Sequence, residues 1–136
     1  MFELEGIDHV AIAVRDVQRS VEWYQKTLGL VRLHADVWGD QPAVVGKGST
    51  AVALFRVVGD TPQGPPGRNV LAMRHLAFRA SAADFARAQR ELSASRIPFE
   101  FQDHRISHSI YLHDPDGHQI EITTYEVESA DDPSNR

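Results

Sequence analysis

The feature that most constrains this chain is that it is written twice. One stretch opens with the run Ile7-Asp8-His9-Val10-Ala11-Ile12-Ala13-Val14, and another with Leu71-Ala72-Met73-Arg74-His75-Leu76-Ala77-Phe78. Each run precedes a residue suited to start a helix, Asp16 in the first and Ser81 in the second, whose side-chain oxygen can accept from N–H groups of the first turn. Asp84, three residues after Ser81, makes this second start close to a capping box. Val21, Tyr24 and Leu28, then Phe85, Ala88 and Leu92, recur at i, i+3 and i+7, the spacing of one helix face, and Gly29 can end the first helix. Strand-like runs follow at about 30–38, 42–46 and 50–58, and again at about 97–103, 107–113 and 118–126. His9 and His75 lie 66 residues apart, Val21 and Phe85 64, and Gly48 and Gly117 69. Two βαβββ units, approximately 6–58 and 70–126, are the simplest account. The Gly- and Pro-rich stretch 59–69 reads as a linker, and the polar end, 127–136, as a frayed tail.

At 136 residues the chain has the size of one domain, long enough for a core without staples. It has no cysteine, which excludes disulfides, zinc fingers and thiol nucleophiles. Its net charge is -5 and its basic residues are scattered, so no stripe exists to neutralise phosphates, and nucleic acid is not an expected partner. The first residues lack the basic start and apolar run of a signal peptide, and no segment approaches the roughly 20 apolar residues of a membrane span. A soluble, cytoplasmic protein is the expectation.

Side chains alternate across a strand, so each run sorts into two faces. Val10, Ile12 and Val14 form an apolar row suited to lie under a helix, opposite His9, Ala11 and Ala13. Leu76 and Phe78 oppose His75 and Ala77, and Ile120 and Ile122 oppose Gln119, Glu121 and Thr123. Ser109, Tyr111 and His113, with Gln102 and His104, fall on the same side as these polar residues. Three strands thus each offer one ligand, His9, His75 and Glu121, on the face turned from the helices, with alanines beside the histidines leaving room. A single buried histidine is more often a hydrogen-bonded core residue. Two at equivalent places in a repeat, sharing a face with a carboxylate, point to a divalent cation, because the carboxylate is costly to bury otherwise. The expected fold is α+β, two βαβββ units forming a curved mixed sheet around a metal-binding cavity.

The segments DHVAIAV (8–14), Trp23-Tyr24, Leu28-Gly29, RHLAF (74–78) and YLHDPDGHQIE (111–121) resemble the vicinal oxygen chelate superfamily, the group of glyoxalases, bleomycin-resistance proteins and extradiol dioxygenases. The resemblance runs from Ile7 to Tyr125. It implies one metal held by His9, His75 and Glu121, presenting adjacent positions to two oxygens of a small-molecule substrate. Fe(II) or Mn(II) suits this donor set best, with Zn(II), Ni(II) and Co(II) also within its range. Relatives of this length commonly pair, the first unit of one chain joining the second unit of its partner, so a homodimer is expected.

The reaction is less constrained than the metal, because one fold hosts many chemistries. From Ala43 to Gly59 there is no Asp, Glu, His, Asn or Gln, so the fourth ligand of a standard glyoxalase I has no candidate; its place falls to Ala53 or Leu54. After Arg105 the next Lys or Arg is Arg136, leaving the last strands without cations for a phosphonate of the fosfomycin type. An intact metal triad counts against a drug-sequestering protein. The expected first choice is an extradiol-type ring-cleaving dioxygenase, with His104 or His108 as acid/base and Tyr111 bonding a substrate oxygen. A glyoxalase-like isomerase or lyase, or a thiol transferase acting through a chelated enediolate or oxyanion, is the alternative. A binding protein without turnover is the third.

Overall fold

The computed structural model describes residues 1–128, which separate into two compact units, one within Met1–Gly64 and one beginning at Pro65. The first contains β1 (Val10–Val14), α1 (Val17–Leu28), β2 (Val31–Leu33), α2 (Ala35–Trp38), β3 (Ala43–Lys47) and β4 (Thr50–Arg56). The second contains β5 (Leu76–Arg79), α3 (Ala82–Ala94), β6 (Glu100–Asp103), β7 (His108–His113) and β8 (Gln119–Thr124). Each builds one four-stranded sheet, in the order β1-β4-β3-β2 and β5-β8-β7-β6. In each, the first strand lies parallel to the last and all other pairings are antiparallel. The α+β class and the two mixed sheets are those expected of the repeat. Most of the polar tail, from residue 129, lies outside the described residues. No helix among the described residues is long and apolar enough to cross a membrane.

The helices start where their caps dictate. The Asp16 carboxylate accepts from the Arg19 N–H at 3.1 Å, and Ser81 Oγ accepts from the Asp84 N–H at 3.1 Å. Gly29, at φ 68°, ends α1, its N–H and that of Leu30 closing onto the Gln25 and Tyr24 carbonyls. Helix α1 turns Val21 and Tyr24 inward, and α3 turns Phe85 and Leu92 inward. In the first sheet they meet the row of Val14, Val45, Val52 and Leu54, and in the second that of Ile110, Leu112, Ile120 and Ile122. Burying one such Leu or Ile stabilises the unit by about 1.5–3 kcal/mol. The tight β3–β4 hairpin needs Gly46, where a Cβ would run into the Thr50 carbonyl oxygen and the Leu33 side chain.

Two local expectations are corrected. The strands opening each unit begin at Val10 and Leu76, not at residues 7 and 71, because each pairs with one neighbour only. β4 starts at Thr50 and β8 at Gln119, so residues well before the histidines have no backbone to bond. The run 30–38 is not one strand. His34 takes a left-handed conformation at φ 58°, and its carbonyl accepts from Val37 and Trp38 to open the short helix α2.

Candidate metal centre

Glu121 stands in the middle of β8, paired with Ala77 on one side and Tyr111 on the other. Residues directly opposite each other share a face, so Ala77, Glu121, Tyr111 and Glu100 form one row across the second sheet. This row lies on the side turned from α3. Glu121 is 8 % exposed, yet both its oxygens are engaged. Ser109, fully buried, donates to Oε2 at 2.7 Å, and His75 Nε2 lies 2.9 Å from Oε1. Two ligand atoms each about 2.0–2.2 Å from one ion, at a right angle, would lie about 3 Å apart. The spacing of His75 and Glu121 therefore fits a shared divalent metal, and Ser109 orients the carboxylate as an outer partner of a ligand does.

His9 belongs to the first unit and precedes β1 as His75 precedes β5. Its Nδ1 is engaged by Asp8 Oδ2 at 2.8 Å, which leaves Nε2 as the ring nitrogen outside that contact. Among the described residues no three His, Cys, Asp or Glu side chains gather as a ready-made cluster. The register also identifies the first unit's counterpart of Glu121. As Glu121 pairs with Ala77, two residues past His75, so Ala53 pairs with Ala11, two residues past His9. The place of a fourth ligand is thus held by alanine, and Leu54 points to the helix side.

The three expected catalytic residues separate. Tyr111 and His104 come together, with His104 Nε2 2.9 Å from the Tyr111 hydroxyl. The Tyr111 ring also meets His75 edge-on, at 5.9 Å between centroids. His104 sits just beyond β6, in the turn that returns to β7, where its N–H donates to the Ser107 carbonyl. His108 is not brought to them. As the first residue of β7 it shares a face with Ile110 and Leu112, lies against Phe101 at 5.2 Å, and has Asp103 3.6 Å from Nε2. Alternation along β7 sets His108 on the face opposite Ser109 and Tyr111 and so turns it away. Loss of solvent, then the charge of Glu121, raises the Tyr111 pKa above its ordinary value of 10.0, so the phenol is a proton donor at neutral pH. The role of Ser109 escaped the sequence reading. Its inward face was legible, but its partnership with Glu121 depends on the β7–β8 register.

Comparison with known proteins gives this geometry a family. The family model for the glyoxalase/bleomycin resistance protein/dioxygenase superfamily matches residues 6–122. A glutathione transferase FosA from Serratia marcescens is 30% identical over 119 residues, covering 88% of this chain and 80% of that protein. A metallothiol transferase FosB from Staphylococcus epidermidis is 28% identical over 128 residues, covering 92% and 87%. Among solved structures, a glyoxalase/dioxygenase from Nostoc punctiforme superposes with a TM-score of 0.73 at 27% identity, covering 88% of this chain and 90% of that one. The thiol-transferase alternative matches the names of these curated relatives, whereas oxygenative ring opening, the first choice from sequence, gains no support from them. The chain belongs to the glyoxalase/bleomycin resistance protein/dioxygenase superfamily.

Proposed function

We propose that this chain is a metal-dependent transferase joining a thiol to a small oxygen-bearing electrophile, with His9, His75 and Glu121 as ligands of one divalent ion. The observation that carries the reading is the buried Glu121 carboxylate, with one oxygen against His75 and the other held by Ser109. Such a carboxylate is costly to bury without a cation, and the curated relatives are named for thiol transfer. Two imidazoles and one carboxylate favour Mn(II) or Fe(II) over softer ions. When bound, the ion supplies Lewis-acid polarisation of a substrate oxygen.

The chain's own residues handle the proton. Tyr111, protonated at neutral pH, hydrogen-bonds His104 Nε2, so a proton leaving the thiol passes through the phenol to the imidazole. As sulfur bonds to carbon, the oxygen released from that carbon takes the proton back, and thiol and electrophile combine with no net proton change. His108 has no part in this, since it faces the helix side.

The test is a thiol balance under nitrogen. Mn(II)-loaded protein with glutathione and a panel of epoxides should consume free thiol, and metal-free protein should not. His104→Ala should retain the metal and slow turnover by about 100-fold, the scale of a lost acid/base group. Metal-dependent oxygen uptake with catechols, without any thiol consumption, would return the assignment to ring cleavage.

A further inference from the structure

The face that carries the proposed metal ligands is poor in positive charge. Strands β5 to β8 contain a single Lys or Arg, Arg79 at the end of β5. The row holding Glu121 also holds Glu100, so an anionic substrate approaching it meets two carboxylates. The next row on the same face is Arg79, Thr123, Ser109 and Gln102. Arg79 therefore stands one same-face step from the row of Glu121, roughly 7 Å along the strand.

Most donors of that row are committed within the sheet. Ser109 gives its proton to Glu121, and the Thr123 hydroxyl lies 3.0 Å from Ser109 Oγ and 3.3 Å from the His108 carbonyl oxygen. The Gln102 amide donates to Glu100 at 3.4 Å. Arg79 makes no ion pair among the described residues. Its guanidinium carbon rests 5.0 Å from the centroid of the Tyr125 ring, and Tyr125 is itself half exposed. A cation–π contact at such an open position is weak, so it parks the side chain without holding it there. A planar guanidinium with several donors is the group that engages a carboxylate through paired hydrogen bonds.

We infer that Arg79 recognises an anionic group on the substrate, a carboxylate placed roughly four to five bonds from the oxygens that face the metal, given the strand spacing. The inference deepens the metal-centre reading and rests on it. It also supplies, from β5, the charge that the final strands lack.

The probe is a matched pair, succinic monohydroxamate and its methyl ester, titrated calorimetrically into Mn(II)-loaded protein. Both carry the same chelating head, and only the acid carries the negative tail. Wild-type protein should bind the acid at least about tenfold more tightly than the ester, as one charge-assisted contact supplies. Arg79→Gln should bind acid and ester alike, with ester affinity unchanged, and Arg79→Lys should keep part of the preference. Equal binding of acid and ester by wild type, or an acid preference undiminished in Arg79→Gln, overturns the role of Arg79 while the metal centre stands. Failure of the wild type to take up Mn(II), read before any hydroxamate is added, brings down the metal reading and this inference with it.

Discussion

Replacing Ser109 by alanine removes a single hydroxyl, the donor to Glu121, which also lies 3.0 Å from the Thr123 hydroxyl. Ser109 is fully buried, and its hydroxyl reaches Glu121 Oε2 at 2.7 Å, so water has no route to replace it. A hydrogen bond to an ionised group contributes about 1.5–3 kcal/mol, and an orphaned buried acceptor loses its full share. In a chain of 136 residues each kcal/mol moves the melting temperature by about 3–4 °C, so metal-free Ser109→Ala should melt about 5–10 °C below wild type. The carboxylate also loses the contact that orients it toward His75. Metal affinity should therefore fall by about 10–100-fold, the usual effect of removing an outer partner of a ligand. Thermal melts with and without Mn(II), beside a competitive metal titration, measure both quantities. A variant that melts with wild type and binds metal equally well would refute the claim that Ser109 holds Glu121 in place.

Three further outcomes are expected. Leu54→Ala, at a fully buried position of the first sheet, should cost about 2–5 kcal/mol in denaturant unfolding; a loss below about 1 kcal/mol would mean that this core is not packed as described. Because the fold raises the Tyr111 pKa, the native state binds that proton more tightly than the unfolded chain does. The resulting stability is present below pH 10.0 and is lost as pH climbs through the raised value, so Tyr111→Phe should flatten the alkaline fall in stability; identical alkaline profiles would exclude the effect. Sedimentation at micromolar concentration should give a homodimer, as expected for a short member of this family, and a monodisperse monomer would end that expectation.

Much of this was legible because the repeat supplied a second copy of each signal. The caps at Asp16 and Ser81, the apolar rows beneath the helices and the inward side of His75, Tyr111 and Glu121 all follow from spacing alone, since helix and strand periods decide which side chains share a face. What sequence could not supply was register and the length over which strands stay paired. Ala53, rather than Leu54, is the counterpart of Glu121 only once the β1–β4 pairing is known. The outward side of His108 was legible from the same alternation that turns Ser109 and Tyr111 inward, and its assignment as an acid/base candidate ran against it. The left-handed His34 broke a run that reads as a continuous strand, and no residue pattern there announces the turn. Ser109 and Arg79 had ordinary sequence contexts, and acquire meaning only from what lies across the ladder.

The central claim is that Glu121 and His75 share a metal. Inductively coupled plasma analysis after Mn(II) loading and desalting tests it most directly, on wild type, Glu121→Ala and His75→Ala. The account predicts about one ion per chain in wild type, none retained by Glu121→Ala and severe loss in His75→Ala, with both variants still folded by circular dichroism. Full occupancy in Glu121→Ala, or a wild type that retains no divalent ion, would contradict it.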